Sequence, residues 1–207
     1  MLKMVRTDNY DLAAKVALRR YFLRRYHRAT PPRVLDCCQG SGLIWGRLRR
    51  EFRPSEYLGL DVKARRGRLK IDSTRFLSQP GWFHDVIDID TYGSPWKLWA
   101  AMLPNVVRPV TVFLTIGFWR HQTVFGASVD DVSLKAMGCV FAQAKIPNTL
   151  RGSLQKIARQ YCLAMAYKHD VQIIEAAEAI SGGTAGYVGV RLEPARQSAG
   201  PRCKVRG

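Results

Sequence analysis

The chain has 207 residues, with 33 Lys and Arg against 16 Asp and Glu, a formal charge of +17 and a pI near 10.2. That length suffices for one domain with a sizeable core; no apolar run approaches the roughly 18 residues of a membrane span, and the basic N-terminus lacks the apolar stretch of a secretory signal. The reading is a soluble, cytoplasmic protein with no membrane contact, whose charge points to a polyanionic partner, nucleic acid first.

In chain order, Asp11–His27 reads as a helix that Asp8 or Asn9 could cap. Ala14, Leu18, Phe22 and Tyr26 recur every four residues as one apolar stripe. Arg20, Arg24 and Arg28 recur on roughly the opposite face, where like charges repel by a few tenths of a kcal/mol per pair. Either an anion offsets that repulsion or the face is simply solvated. Pro31-Pro32 ends the segment, because neither residue donates a hydrogen bond.

Five short apolar strands follow, at Val34–Cys37, Tyr57–Val62, Leu69–Asp72, Asp85–Asp90 and Val110–Ile116. Helical patterns fit between them at Leu43–Phe52, near Thr74–Leu77, and at Pro95–Leu103. Such alternation implies parallel strands with helices on both faces. Asn148–His169 then reads as a long helix, and Val171–Ala176 and Tyr187–Leu192, around SGGTAG, read as a β-hairpin. The division is a basic N-terminal helix (1–30), one α/β domain (31–194) and a flexible basic tail (195–207). The five cysteines, Cys37, Cys38, Cys139, Cys162 and Cys203, are odd in number and scattered, which fits reduced thiols. No CxxC pair is present and the four histidines are far apart in sequence, so no metal is expected.

Asp36 ends the first strand, and Gly40 and Gly42 follow before the helix from Leu43. In an open α/β sheet ligands bind beyond the carboxyl ends of the strands, where glycines let the backbone pass close and a helix N-terminus offers N–H groups. A nicotinamide cofactor would call for GxGxxG; here Cys38 stands where the first glycine belongs. Asp61 ends the second strand about twenty residues on, where a carboxylate can accept both ribose hydroxyls. Asp72 ends the third. Any one of these acids could instead be a helix cap.

The run Asp-Cys-Cys-Gln-Gly-Ser-Gly, residues 36–42, is similar to the D-x-G/F/C-x-G-x-G turn of class I S-adenosylmethionine-dependent methyltransferases. In that family the turn faces a methionyl group and ribose rather than a pyrophosphate, so a small residue such as Cys38 is tolerated. The resemblance covers roughly Pro31–Leu192. It implies a Rossmann-like, mostly parallel seven-stranded sheet with a C-terminal antiparallel hairpin and helices on both faces. It also implies S-adenosylmethionine as cofactor, held by Asp36, Cys38, Gly40, Ser41, Gly42, Asp61, Asp72 and Ser73, with Asp72 reading the adenine amino group.

The stretch DVIDIDTYGSPWKLW, Asp85–Trp99, is the most distinctive. Asp88 and Asp90 lie two apart in a strand and point the same way, although buried carboxylates are costly unless bonded or functional. The segment D-T-Y-G-S-P resembles the D-P-F/Y-G-S-P of the tRNA guanine-N2 dimethyltransferase family, with Thr91 in place of proline; it also resembles small methyltransferase-like proteins of phages and prophages. The likeness implies that Asp90 accepts a hydrogen bond from a target amine, that Tyr92 stacks on its base, and that Gly93, Ser94 and Pro95 shape the substrate turn. Alternatively, Tyr92 packs and Asp90 caps the helix starting near Pro95. The run from Gly117, GFWRHQTVFGASVDD, interleaves aromatic and basic groups, and Trp119 and Arg120 are its candidate substrate contacts. Trp96 and Trp99 fit a core better than a stacking platform. The expected function is methyl transfer to an exocyclic base amine, RNA ahead of DNA. A protein side-chain methyltransferase and a non-catalytic nucleic-acid binder of the same fold are the rivals.

Overall fold

The computed structural model describes residues 11–63, 69–91, 95–117, 160, 164–180 and 185–195. Seven strands form one sheet: β1 (Arg33–Asp36), β2 (Glu56–Asp61), β3 (Leu69–Lys70), β4 (Val86–Ile89), β5 (Val110–Gly117), β6 (Val171–Ile180) and β7 (Ala185–Pro194). Their spatial order is β3-β2-β1-β4-β5-β7-β6. The first five are parallel, and β7 runs antiparallel between β5 and β6. Helices α1 (Leu12–Tyr26), α2 (Leu43–Phe52), α3 (Ser73–Leu77) and α4 (Trp96–Met102) complete the described elements. Among the described residues no helix is long and apolar enough to cross a membrane.

Strand alternation sorts side chains onto two faces. Leu35, Ile87, Ile89, Val112 and Leu114 pack with Trp96, Trp99 and Met102 of α4, so both tryptophans are core. Val34, Val86 and Phe113 face the other way and pack with Leu18 and Phe22 of α1 and Trp45 and Leu48 of α2. The expected apolar stripe of α1 is therefore what docks it on the sheet, and its opposite face carries arginines. Arg20 and Arg24 both pair with Glu51 of α2, so an anion from the chain itself offsets their repulsion.

The elements run close to expectation, with informative differences at the ends. The third strand stops at Lys70, because Asp72 turns out to cap α3. The hairpin strands are longer than their apolar runs suggest, since eight residues of β5 pair with β7 and extend the ladder. A register shift between Ile173 and Glu175 swings Glu175 toward α1, where the hydroxyls of Tyr21 and Tyr26 donate to it. Of the expected helix over Asn148–His169, residues 164–168 are helical and most of the rest lies outside the described residues. So do Asp8, Asn9 and the tail beyond residue 195.

Candidate active site

The turn after β1 is built from two left-handed glycines, Gly40 at φ 52° and Gly42 at φ 69°. L side chains rarely adopt that conformation, so glycine is needed at both positions. Cys38 does not share the positive φ, which is why a side chain is tolerated there; its thiol packs against the apolar core. Burial, with Asp36 nearby, pushes that thiol well up, so Cys38 is an inert, protonated wall of the turn. Gly42 opens α2, and its N–H donates to the Gln39 carbonyl at 2.7 Å. Gln39 lies over Gly59 of β2: a Cβ there would stand 2.2 Å from Gln39 Oε1, so a larger residue would push the Gln39 side chain aside.

Asp61, at the carboxyl end of β2, reaches back to this turn. Its Oδ2 accepts from the Gly40 N–H at 3.1 Å and its Oδ1 from the Lys63 N–H at 2.8 Å. The main chain thus fixes a carboxylate beside the glycines, an acceptor of the kind a ribose diol requires.

Three more carboxylates gather at the ends of β1 and β4, on the face covered by α1 and α2. Asp36 and Asp88 are register partners. The Asp36 carboxyl is buried and accepts from the Tyr57 hydroxyl at 2.7 Å. Burial, then the charge of Asp88, pushes its pKa up to about 8, so it is mostly protonated at neutral pH. Asp88 accepts three hydrogen bonds: Arg19 donates from Nε at 2.7 Å and from Nη2 at 2.6 Å, and Trp45 from Nε1 at 2.7 Å. Burial lowers the Arg19 pKa, but the charge and hydrogen bonds of Asp88 outweigh it and the net direction is up. One turn earlier on α1, Lys15 Nζ donates to both oxygens of Asp90, at 2.7 and 2.9 Å, and lies 5.2 Å from the Tyr187 ring centre.

The structure thus brings Asp36, Cys38, Gly40, Gly42, Asp61 and Asp90 to one edge of the sheet. Ser73, at the start of α3, donates its hydroxyl to the Cys37 carbonyl and ties α3 to β1. Asp72 lies just beyond β3, the strand next to β2. It is exposed and accepts from the Thr74 N–H at 2.8 Å, which draws its carboxyl below the ordinary range. Capping α3 is thus the structural role of this acid. Pro95 is buried at the N-cap of α4, one position earlier than a helix-opening proline. Thr91 Oγ1 makes only a long 3.5 Å approach to the Thr115 carbonyl. Tyr92, Gly93, Ser94, Trp119 and Arg120 lie outside the described residues. Among the described residues no group of three or more potential ligands could hold a metal ion.

Sequence reasoning missed Lys15, Arg19, Trp45 and Tyr57, the groups that hold the acids in place. A signal for two of them was present: basic residues four apart at the border of an apolar helical stripe, and acids two apart in a later strand.

This strand order, with the seventh strand inserted antiparallel, is the fold of class I S-adenosylmethionine-dependent methyltransferases. Trm1 from Pyrococcus horikoshii, solved with S-adenosyl-L-methionine, matches with a TM-score of 0.62 at 16% identity, over 89% of this chain and 55% of its own. This chain therefore spans little more than half the length of that protein. The plantazolicin methyltransferase BamL, bound to a triazolic desmethylPZN analogue and SAH, matches at 0.53 and 13% identity, over 88% of this chain and 84% of its own. TYW2 from M. jannaschii, solved in complex with AdoMet, matches at 0.51 and 10% identity, over 79% of this chain and 69% of its own. No protein-family model matches the sequence, and no curated protein matches it significantly.

Two outcomes follow from the buried charges. Arg19→Met leaves the Asp88 carboxyl buried without its cation, with Trp45 as a remaining donor, and should cost about 3–5 kcal/mol in urea unfolding. Adding Asp88→Leu removes the stranded carboxyl and should recover most of the loss; a single variant as stable as the parent would refute the role given to the pair. Asp36 works in the opposite sense with pH. Its folded pKa, about 8, lies above the ordinary 3.8, so the stability it contributes is complete below about pH 4 and is lost as pH rises toward 8. Asp36→Asn copies the protonated form. Its melting temperature relative to the parent should therefore climb steadily from pH 4 to pH 8; a constant offset would show that Asp36 is ionised throughout.

Proposed function

We propose that this protein transfers a methyl group from S-adenosylmethionine to an exocyclic amine of a nucleic-acid base. The observation that supports the reading is that Asp61, held by the glycine turn, and Asp90, just past β4, follow the carboxyl ends of the two strands that flank β1 in parallel. The residues present suit the cofactor: Asp61 is an acceptor for the ribose diol, Gly40 and Gly42 admit the methionyl end, and Ser41, Cys38 and Asp36 flank it. Asp72 and Ser73 line the route assigned to adenine.

When bound, S-adenosylmethionine supplies a methyl group on a positive sulfur. The chain's own residues need only position and polarise the acceptor. An exocyclic amine is a poor nucleophile, since its lone pair is delocalised into the ring. Asp90, accepting one amine hydrogen, raises electron density on the nitrogen and takes up the proton released as the N–C bond forms. Lys15, donating to both Asp90 oxygens, holds that carboxylate in place. From the sequence, Tyr92 is assigned to stack on the base, with Gly93, Ser94, Pro95, Trp119 and Arg120 forming the entrance. The charge of +17, the D-T-Y-G-S-P segment and the likeness in fold to Trm1, a tRNA guanine-N2 dimethyltransferase, favour nucleic acid, RNA ahead of DNA. BamL shows that one protein of this fold acts on plantazolicin, so a peptide acceptor is the alternative to be tested.

Calorimetry with S-adenosylmethionine and transfer of tritiated methyl to RNA, DNA and protein pools test the proposal. Asp61→Ala should weaken cofactor binding by about tenfold or more, 1.4 kcal/mol for each factor of ten. Asp90→Ala should abolish transfer while cofactor affinity stays within about tenfold. Label entering only the protein pool, or no cofactor binding, would overturn the reading.

A further inference from the structure

We propose that the arginine-covered outer face of α1 and α2 docks on nucleic-acid phosphates, at the opposite end of the sheet from the transfer site. The inference rests on the nucleic-acid reading above and adds where the polymer is gripped. Residues 11–53 contain ten arginines but one lysine, Lys15, which is buried at the site. This bias matters, because a guanidinium offers a planar fork that matches phosphate oxygens, whereas an ammonium is a point charge. A merely solubilising surface has no need of that choice.

The face is also under-neutralised. Arg20 and Arg24 share Glu51, and Arg25 pairs with Glu175. Arg28, Arg47, Arg50 and Arg53 are exposed, and among the described residues no carboxylate pairs with any of them. Arg53 sits at φ 43°, a left-handed C-cap that glycine fills with less strain. Glycine there would relieve the backbone, but it would remove a cation from this surface.

Position follows from topology. α2 leaves the glycine turn and runs back along the sheet for ten residues, about 15 Å. It ends beside Ser55, whose N–H donates to the Pro32 carbonyl just ahead of β1. α1 runs in the same sense, from Lys15 at Asp90 down to His27, which bonds Thr111 near the start of β5. Arg28, Arg50 and Arg53 therefore lie at the far ends of the two helices, about 15 Å along the axis from the carboxylates, and Arg47 lies midway along α2. A base presented at the site would leave the flanking backbone lying along this face. Phosphate contacts of this kind position a nucleic acid without reading its sequence.

The test uses the full chain and a fluorescein-labelled RNA hairpin, with binding followed by anisotropy over a salt series. The variant Arg28→Gln/Arg47→Gln/Arg50→Gln/Arg53→Gln should bind at least tenfold more weakly, and its slope of log K against log salt should fall by roughly three to four units. The control Lys97→Gln/Lys168→Gln, exposed charges outside this face, should change neither by more than a fraction of that. A DNA hairpin should show the same arginine dependence, since phosphate is the shared element. With hairpin RNA as methyl acceptor, KM should rise while kcat holds. Two double variants, Arg28→Gln/Arg53→Gln and Arg47→Gln/Arg50→Gln, each expected to lose about half the slope, cover the case in which the quadruple variant fails to fold. Unchanged affinity and slope would overturn the proposal. So would an equal loss per charge in the control, or anionic vesicles that capture the protein as tightly as RNA with the same arginine dependence. If arginine-dependent RNA binding stands but no methyl is transferred, the docking face survives and the enzymatic reading falls; transfer with arginine-independent binding gives the reverse.

Discussion

Two ion pairs between one helix and one strand end, one buried and one partly buried, hold the end of this sheet together. On α1, Lys15 and Arg19 are four residues apart, an axial rise of about 6 Å. Asp88 in β4 and Asp90 just beyond it are two apart, about 6.6 Å in extended chain. The spacings agree closely enough for the helix, running antiparallel to the strand, to place one cation on each acid. Nothing in the hydrophobic effect requires this, since burying a salt bridge gains little over well-packed apolar residues. Once the acids are there, however, the cations are obligatory. Asp36, Asp88 and Asp90 lie together at the ends of adjacent strands, and all three could not stay ionised in a dry interior. The arrangement resolves the conflict by pairing two of them with α1 and leaving the third protonated against Tyr57.

The same constraint explains why α1 is integral to the domain. Its apolar residues complete the core on one face of the sheet. Its two inward cations neutralise the end of β4, so losing the helix would open a core and strand two carboxylates together. The other face has no such duty, and its contacts with α3 and α4 are almost wholly apolar. The sheet therefore has a dry, oily side and a side whose carboxyl end is electrically structured. Asp61 is separate again: main-chain N–H groups of Gly40 and Lys63 hold it beside the glycine turn.

The elements were legible because the sheet has strong local signals. Val34–Cys37 and Val110–Ile116 are apolar runs bounded by proline, glycine or charge, and Leu43–Phe52 coincides with α2. The glycine turn was legible because two left-handed residues leave no chemical alternative to glycine. The partners of the acids were not. Periodicity sorts residues into apolar and polar, and it assigns a lysine or an arginine outward by default, so Lys15 and Arg19 were hidden by their own charge. That Asp88 would be neutralised by a residue 69 positions earlier is a property of tertiary packing alone. Asp72 shows the converse: a strand-end acid gives no sign in sequence that it also caps the next helix, as it does here.

Helix α1 also links the two ends of the molecule through its own rigidity. Its first turns carry buried cations whose partners are the carboxylates of the sheet edge; its last turn and the residue beyond carry exposed arginines. A fifteen-residue helix is about 22 Å long, so one element spans from the interior charge network to the basic surface. On the reading proposed here, force applied where phosphates dock would be borne by the same helix that orients Asp90. Docking and orientation then share one mechanical part, and a polymer that engages the face could bias the geometry of the carboxylate without touching it. The design has a physical limit: Arg19 is saturated by Asp88, so any shift of α1 along its axis must first break two charge-assisted hydrogen bonds in a buried setting. The helix is thus better suited to hold the edge still than to switch it. A positioning role, with the polymer brought to a preformed site, is the arrangement these contacts sustain.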